Sequence, residues 1–442
     1  MRSTVALLVT SLLAVACHSS GSGTASRGQR ESGAWKTLFD GKTTDGWVAW
    51  GGRYDGNARW TVEDGVLTGR QNLKQEGGLI YTEGFYSNFE FEVDVKCDYP
   101  FDSGIFLRMV PDEKGAQVTI DYRPNGEIGA IYSDGFLQHN LDGGQLFTKD
   151  EWNHFKVVCT GRDLAIDTWL NGSLLCSYRM EPGSTGYAPT GRIGLQVHGG
   201  ENVPLETKVQ FKNMRVKELP VADEPIAVDA PGGAKQLSQR ALLDGWRPLF
   251  DGTTLEGWDV RGPAEGVEVK GGALVVTSGD GELRSKGDYQ DFELYADFQL
   301  SKLCNSGVFL RAERSEANPA FSGCEVQVLD DYNWEAAAGY QLHDYQFTGG
   351  LYGSVAPGVK GVLKLAPEWN TYHITFKGPR IRTELNGRVL YDVDTTTVPV
   401  PPDTKPFAER AKTGFIGLQR HGAAKEGEST FVAYKNLFVK TL

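Results

Sequence analysis

The 442 residues carry 45 Lys and Arg against 57 Asp and Glu, a formal charge of −12, with 55 Gly, 19 Pro and 6 Cys. At roughly 100–200 residues per domain, that length allows two to four domains, each able to bury a core. The acidic balance argues against a nucleic-acid partner, the negative mean hydropathy and single short apolar stretch against a polytopic membrane protein, and six cysteines against a disulfide scaffold.

The chain opens on an export signal over residues 1–17. Arg2 gives a minimal positive region, Val5–Ala16 is apolar apart from Thr10 and Ser11, and small residues lead into Cys17. Ala14-Val15-Ala16-Cys17 resembles the lipobox of bacterial lipoproteins, which implies acylation of Cys17 and an exported, membrane-anchored protein at the outer membrane or cell surface. The usual Leu is replaced by Ala14, and ordinary signal-peptidase cleavage is the alternative. Residues 18–34 hold no apolar residue larger than Ala before the body begins, the composition of a flexible tether.

The rest is a tandem repeat. Leu38-Phe39-Asp40-Gly41 and Gly46-Trp47 recur as Leu249-Phe250-Asp251-Gly252 and Gly257-Trp258, and Ser103–Arg108 recurs as Ser306–Arg311. Trp152-Asn153 with Asn171-Gly172 recurs as Trp369-Asn370 with Asn386-Gly387, and Gly194-Leu195-Gln196 and His198-Gly199 as Gly417-Leu418-Gln419 and His421-Gly422. Conserved order across the whole length marks a duplication. Domain 1 is expected over 35–219, a linker over 220–246, with a short helix within Gln236–Leu243, and domain 2 over 247–442.

Within each copy the dominant period is two. Phe89, Phe91, Val93, Val95 and Cys97 alternate with Glu90, Glu92, Asp94 and Lys96, and Phe292, Leu294, Ala296, Phe298 and Leu300 alternate likewise. Asn-Gly pairs are hairpin signals, and no amphipathic helix of ordinary length appears. Each copy reads as an all-β, two-sheet sandwich of jelly-roll type. Cys304 and Cys324, near the starts of two strands expected to be antiparallel neighbours, would sit at opposite ends, so no essential disulfide is expected.

Taken together, LFDG…GW, NSGVFLR, GCEVQVLD, TGGLYG, EWNTYHITFKG…LNG, GFIGLQRHG and the final YKNLFVK resemble the 3-keto-disaccharide hydrolase family, also described as 3-keto-glucoside lyases and 3-keto-2-hydroxyglucal hydratases. The resemblance implies tandem concanavalin-like sandwiches that act on 3-oxo sugars. A C3 carbonyl acidifies the C2 proton and places the C1 oxygen β to it, so a base can drive elimination of the aglycone and water can then add to the glucal. That chemistry asks for a base near C2, an electrophile for the enolate and an acid for the leaving oxygen.

Strand alternation places Asn305, Gly307, Phe309 and Arg311 on one face, Glu325 and Gln327 on one face of the next motif, and Gln419 with His421 on one face of theirs. Polar side chains recurring on core strands need a reason, and a sugar-binding face supplies it. The expected roles are Glu325 as base, with His421 second and either able to protonate the leaving group; Arg311 as enolate stabiliser; and Asn305, Gln327, Gln419, Tyr352 and Asp330 as substrate-binding groups. The competing readings are an Arg311–Glu325 ion pair and a structural His421. The LFDG, GW, WN and NG motifs read as structural, and Glu90, Glu92 and Asp94 as a solvated strand face.

The copies differ where the base is expected. Aligning Gly115 with Gly323 sets Gln117 opposite Glu325 and Thr119 opposite Gln327, and Asp102 replaces Asn305, whereas Arg108, Tyr132, Gln196 and His198 are kept. Domain 2 is therefore expected to be catalytic and domain 1 a binding or structural partner. No phosphate loop, HExxH, CxxC pair or EF-hand loop is present, so no cofactor is expected, though a divalent cation stays open. The keto sugar would have to come from a separate dehydrogenase. A non-catalytic carbohydrate-binding lipoprotein and a two-carboxylate glycosidase are the rival readings.

Overall fold

The computed structural model describes residues 33–181, 186–231, 234–277, 279–315, 317–424 and 429–442. The expected signal segment, Cys17 and nearly all of the tether lie outside them. Where description begins, the Gly33 N–H already donates to Glu218 O at 2.9 Å. All five cysteines of the described body are free and buried.

Each copy folds into two facing antiparallel sheets. In domain 1 an eight-stranded sheet, with Phe89–Cys97 and Lys208–Glu218 at its centre, faces a seven-stranded sheet. The latter runs Phe136–Gln138, Ile128–Tyr132, Ala116–Asp121, Asp102–Met109, Arg192–Val197, Gly78–Thr82 and Trp47–Val48. Domain 2 repeats the eight-stranded sheet, centred on Phe292–Leu300 and Phe431–Thr441. It faces a sheet of only five strands, in the order Trp258–Arg261, Gly281–Tyr289, Gly414–Arg420, Asn305–Ala312 and Cys324–Leu329.

The alternation of the sequence becomes the core. Leu294, Phe298, Val308, Leu310, Val326, Val328, Ile416 and Leu418 meet between the sheets of domain 2, each under 2% exposed, at roughly 1.5–3 kcal/mol for each large apolar side chain taken out of water. Phe309, Ala312, Ala320 and Phe415 form a separate cluster on the outer face of the five-stranded sheet. The repeated motifs hold identical positions. Trp47 Nε1 donates to Leu38 O at 2.7 Å and Trp258 Nε1 to Leu249 O at 3.0 Å. Asp40 and Asp251 each accept backbone N–H groups of their own turns. Asn171 and Asn386 bridge to Asn153 and Asn370 at 2.9 and 2.8 Å.

The segment between the sandwiches is packed against both. Helix Gln239–Leu243 is capped by Ser238, and Leu237, Ala241 and Trp246 pack on Phe438 and Tyr295 of domain 2. On the other side Gln239 Nε2 donates to Asn88 Oδ1 of domain 1 at 2.9 Å. Tyr295 and Phe438 are cross-strand partners, and the same register position in domain 1 holds Glu92 and Arg215. The covered face carries aromatics; the open face carries an ion pair.

Candidate functional site

In domain 2 the chain does not continue the five-stranded sheet after Leu329. Residues 330–348 instead fold over its outer face, through the helix Trp334–Ala338, before the chain returns alongside Cys324–Leu329 and sends Leu351 and Leu363 into the core between the sheets. Gly349 N–H and Tyr352 N–H donate to Gln327 O and Glu325 O, each at 2.9 Å, and Gln327 N–H donates to Gly350 O at 3.0 Å. Tyr372 Oη holds the same strand from beneath, donating to Gln327 O at 2.6 Å.

This roof closes a cleft of about 230 Å³. Six of the eight expected site residues line it: Glu325, Gln327, Asn305, Gln419, His421 and Tyr352. The strand register explains the convergence, since Phe309 pairs with Glu325, Gly307 with Gln327 and Asn305 with Leu329, while Gln419 comes from the strand on the other side.

Glu325 is 3% exposed. Its carboxyl lies over Gly307, where an added Cβ would come within 1.9 Å of Oε1, so the absence of a side chain there makes the carboxyl's berth. Burial pushes its pKa from 4.5 up to about 8. Asn305 Oδ1 and Gln419 Oε1 are buried and have no hydrogen-bond partner. A buried amide oxygen without a donor is a state proteins rarely leave unless a ligand completes it. Tyr352 is half-buried beside Glu325, and its phenol pKa is raised, first by burial and next by the Glu325 charge. His421 stands exposed at the mouth, its Nδ1 3.0 Å from Gly422 O.

Arg311 is a correction. Its φ of +53° and a register shift between Phe309 and Ala312 insert one extra residue into the strand. Alternation breaks there: Ala312 joins Phe309 on the outer face, and Arg311 turns the other way, over the Phe376 ring of the core. Arg311 donates to Gln290 O, to Gly378 O at 2.7 Å and to Asp291 Oδ1 at 2.9 Å. Arg108, with the same φ of +53°, makes the matching set in domain 1: Ser87 O, Gly161 O and Asn88 Oδ1. An arginine that does the same work in the copy without the glutamate is an architectural clamp. It does not line the cleft, and it pairs with Asp291, not Glu325.

Asp330 is the second correction. It is 1% exposed and does not line the cleft; its carboxylate accepts Leu303 N–H at 2.8 Å and Asn333 Nδ2, anchoring the start of the roof.

Sequence reasoning missed Trp334, Tyr340, Leu342 and Gln346, which the roof brings to the cleft. The available signal was length. From Asp121 to Asn153 copy one spends fewer residues than copy two spends from Leu329 to Asn370, and the excess is rich in aromatics.

The matching face of domain 1 is closed on itself. Gln117, paired with Phe106 as Glu325 is with Phe309, donates Nε2–H to Gln196 Oε1 at 3.0 Å. Asp102 sits 2.8 Å from Arg123 and 3.8 Å from His198; burial leads in raising its pKa to about 6. Residues 50–57 strap over the sheet, with Tyr54 edge-on to Phe106 at 6.2 Å and its hydroxyl on Asp134 at 2.8 Å. A larger open hollow of about 540 Å³ lies on the eight-stranded sheet. There Glu92 pairs with Arg215 at 2.6 Å and Asp94 with His154 at 2.7 Å, while Lys212 lies over the Trp152 ring, so its charges are taken up locally and the smaller cleft is the better site.

Among the described residues no group of three or more His, Cys, Asp or Glu is placed to hold a metal ion. No helix among them is long and apolar enough to cross a membrane.

Comparison with known proteins bears on both copies. A sequence profile of the 3-keto-alpha-glucoside-1,2-lyase-like domain matches residues 34–217 and again 245–440. A 3-keto-disaccharide hydrolase of Bacteroides thetaiotaomicron is 35% identical over 75 residues, 16% of this chain and 26% of the relative. The match therefore spans about a quarter of the length of that curated relative. Two solved candidate glycosyl hydrolases of Parabacteroides distasonis are similar to single copies. One is 28% identical and covers 45% of this chain and 99% of its own, with a TM-score of 0.39. The other is 24% identical and covers 47% and 98%, with a TM-score of 0.39. With the profile matched twice, over most of its length, the chain belongs to the 3-keto-alpha-glucoside-1,2-lyase-like family.

Proposed function

We propose that this protein cleaves the glycosidic bond of 3-keto-glycosides by elimination and hydration, and that domain 2 carries the reaction. One observation supports this above the others: a buried carboxyl with its pKa near 8 shares a cleft with two unpaired amide groups. The unpaired amides bind sugar hydroxyls. Ionised Glu325 takes the C2 proton; the C2 electron pair forms the C1–C2 double bond as the C1–O bond breaks, and the leaving oxygen takes a proton from Tyr352 or His421. Water then adds at C1 while C2 regains its proton, giving the free keto sugar and the aglycone.

With Arg311 in the core, no Lys or Arg lines the cleft among the described residues. The enolate is then met by neutral donors, the side-chain amides, with the Tyr352 phenol joining them where His421 protonates the leaving oxygen. Glu325 is also the only carboxylate lining the cleft among those residues, which disfavours the paired-carboxylate glycosidase, whose groups stand roughly 5–10 Å apart. Domain 1, its polar groups paired and its face strapped, serves as scaffold. Anchoring through Cys17 and supply of the keto sugar by a separate dehydrogenase complete the proposal, the first resting on sequence alone.

The test is incubation of purified protein with a 3-keto-glucoside beside the unoxidised glucoside. Release from the keto compound alone is the expected result. Binding of sugars without turnover of either would make the protein a carbohydrate-binding lipoprotein instead.

A further inference from the structure

The domain 2 cleft, at about 230 Å³, is smaller than the roughly 300–1,000 Å³ of sites that enclose a whole drug-sized ligand. On the glycosidic reading it has room for about one sugar ring, so the rest of a glycoside would project from its mouth. Tyr340 stands there: it lines the cleft yet is 53% exposed.

Its position is built. Helix Trp334–Ala338 ends at Gly339, whose φ of +76° turns the chain and whose N–H returns to Glu335 O. Trp334, 5% exposed, donates Nε1–H to Tyr340 Oη at 3.2 Å. Beyond the turn, Leu342 N–H donates to Glu335 Oε1 at 2.8 Å. A buried indole and a helix cap thus hold an exposed aromatic ring at the opening of a one-ring cleft. Domain 1 has no counterpart among the described residues, because only residues 122–127 join Ala116–Asp121 to Ile128–Tyr132, whereas domain 2 spends residues 330–348 before its chain returns beside Cys324–Leu329.

We propose that Tyr340 is the platform of a leaving-group subsite that takes a flat ring, a second pyranose through its C–H face or an aryl aglycone. The inference rests on the glycosidic reading above. It predicts preference for glycosides whose aglycone is a ring over those whose aglycone is small.

The experiment compares wild type, Tyr340→Ala and Tyr340→Phe on three substrates sharing the 3-keto-glucosyl group: methyl, glucosyl and phenyl. Loss of one stacking contact corresponds to about a two- to twelvefold rise in KM. That rise is expected for Tyr340→Ala on the glucosyl and phenyl compounds only, with Tyr340→Phe falling between it and wild type, because the ring remains but loses the Trp334 hydrogen bond that holds it. A rise on one ring compound alone identifies which aglycone the platform takes. An equal loss on the methyl compound, or no change on any, overturns the proposal, and matched thermal midpoints separate a binding effect from a folding one. Wild type inactive on all three removes the glycosidic reading and this inference with it.

Discussion

Replacing Glu325 by Gln removes the charge while keeping the shape that fills the space over Gly307. Burial raises this carboxyl from 4.5 to about 8, so across that range the folded protein holds a proton that the unfolded chain releases. The native state binds more protons there, and stability therefore falls as pH rises from about 4.5 to about 8. Each pH unit in the window is worth roughly 1.4 kcal/mol. The neutral amide escapes this cost, so Glu325→Gln should be more stable than wild type by under about 1 kcal/mol near pH 5 and by about 3 kcal/mol near pH 7. Urea unfolding of both proteins at the two pH values reads the difference. The same variant should lose at least about 100-fold in kcat on a 3-keto-glucoside, the usual scale for a general base. In wild type, activity should rise with pH through about 8 as the base ionises. A stability difference independent of pH would refute the buried-carboxyl argument, and full retained activity would refute the base assignment.

Arg311→Met should cost about 3–5 kcal/mol in unfolding free energy, because it removes the donor from three backbone carbonyls and leaves the Asp291 carboxylate, among the described residues, with only the Gly378 N–H. Folded variant should keep its kcat; a specific catalytic loss without destabilisation would restore Arg311 to the site. Gly307→Ala places a methyl against Glu325 Oε1, which should cost about 1–3 kcal/mol and lower kcat through displacement of the carboxyl; unchanged kcat would show that this berth is not needed. Gln117→Glu, added to Glu325→Gln, should recover no activity, since Gln196 and the 50–57 strap occupy that face of domain 1. Turnover by the double variant would show domain 1 to be a competent second site.

The amino-acid sequence by itself determined the duplication, the β-sandwich class and the convergence of Glu325, Gln327, Asn305, Gln419 and His421. A period of two and ordered repeated motifs are local signals, and strand parity carries them directly into three dimensions. The departure of copy one at Gln117 was equally legible, and the register confirms the alignment. Parity failed at Arg311, where one left-handed residue shifted the strand and sent the side chain into the core. Nothing in SGVFLR announces that bulge, because its cause is the distant set of carbonyl acceptors that the guanidinium reaches. Only the tertiary structure decided that residues 330–348 roof the cleft, that Asp330 anchors this roof, and that Trp334 and Tyr340 line the cleft. Those placements come from long-range hydrogen bonds and burial, and contacts between residues far apart in the chain leave no periodic trace in it.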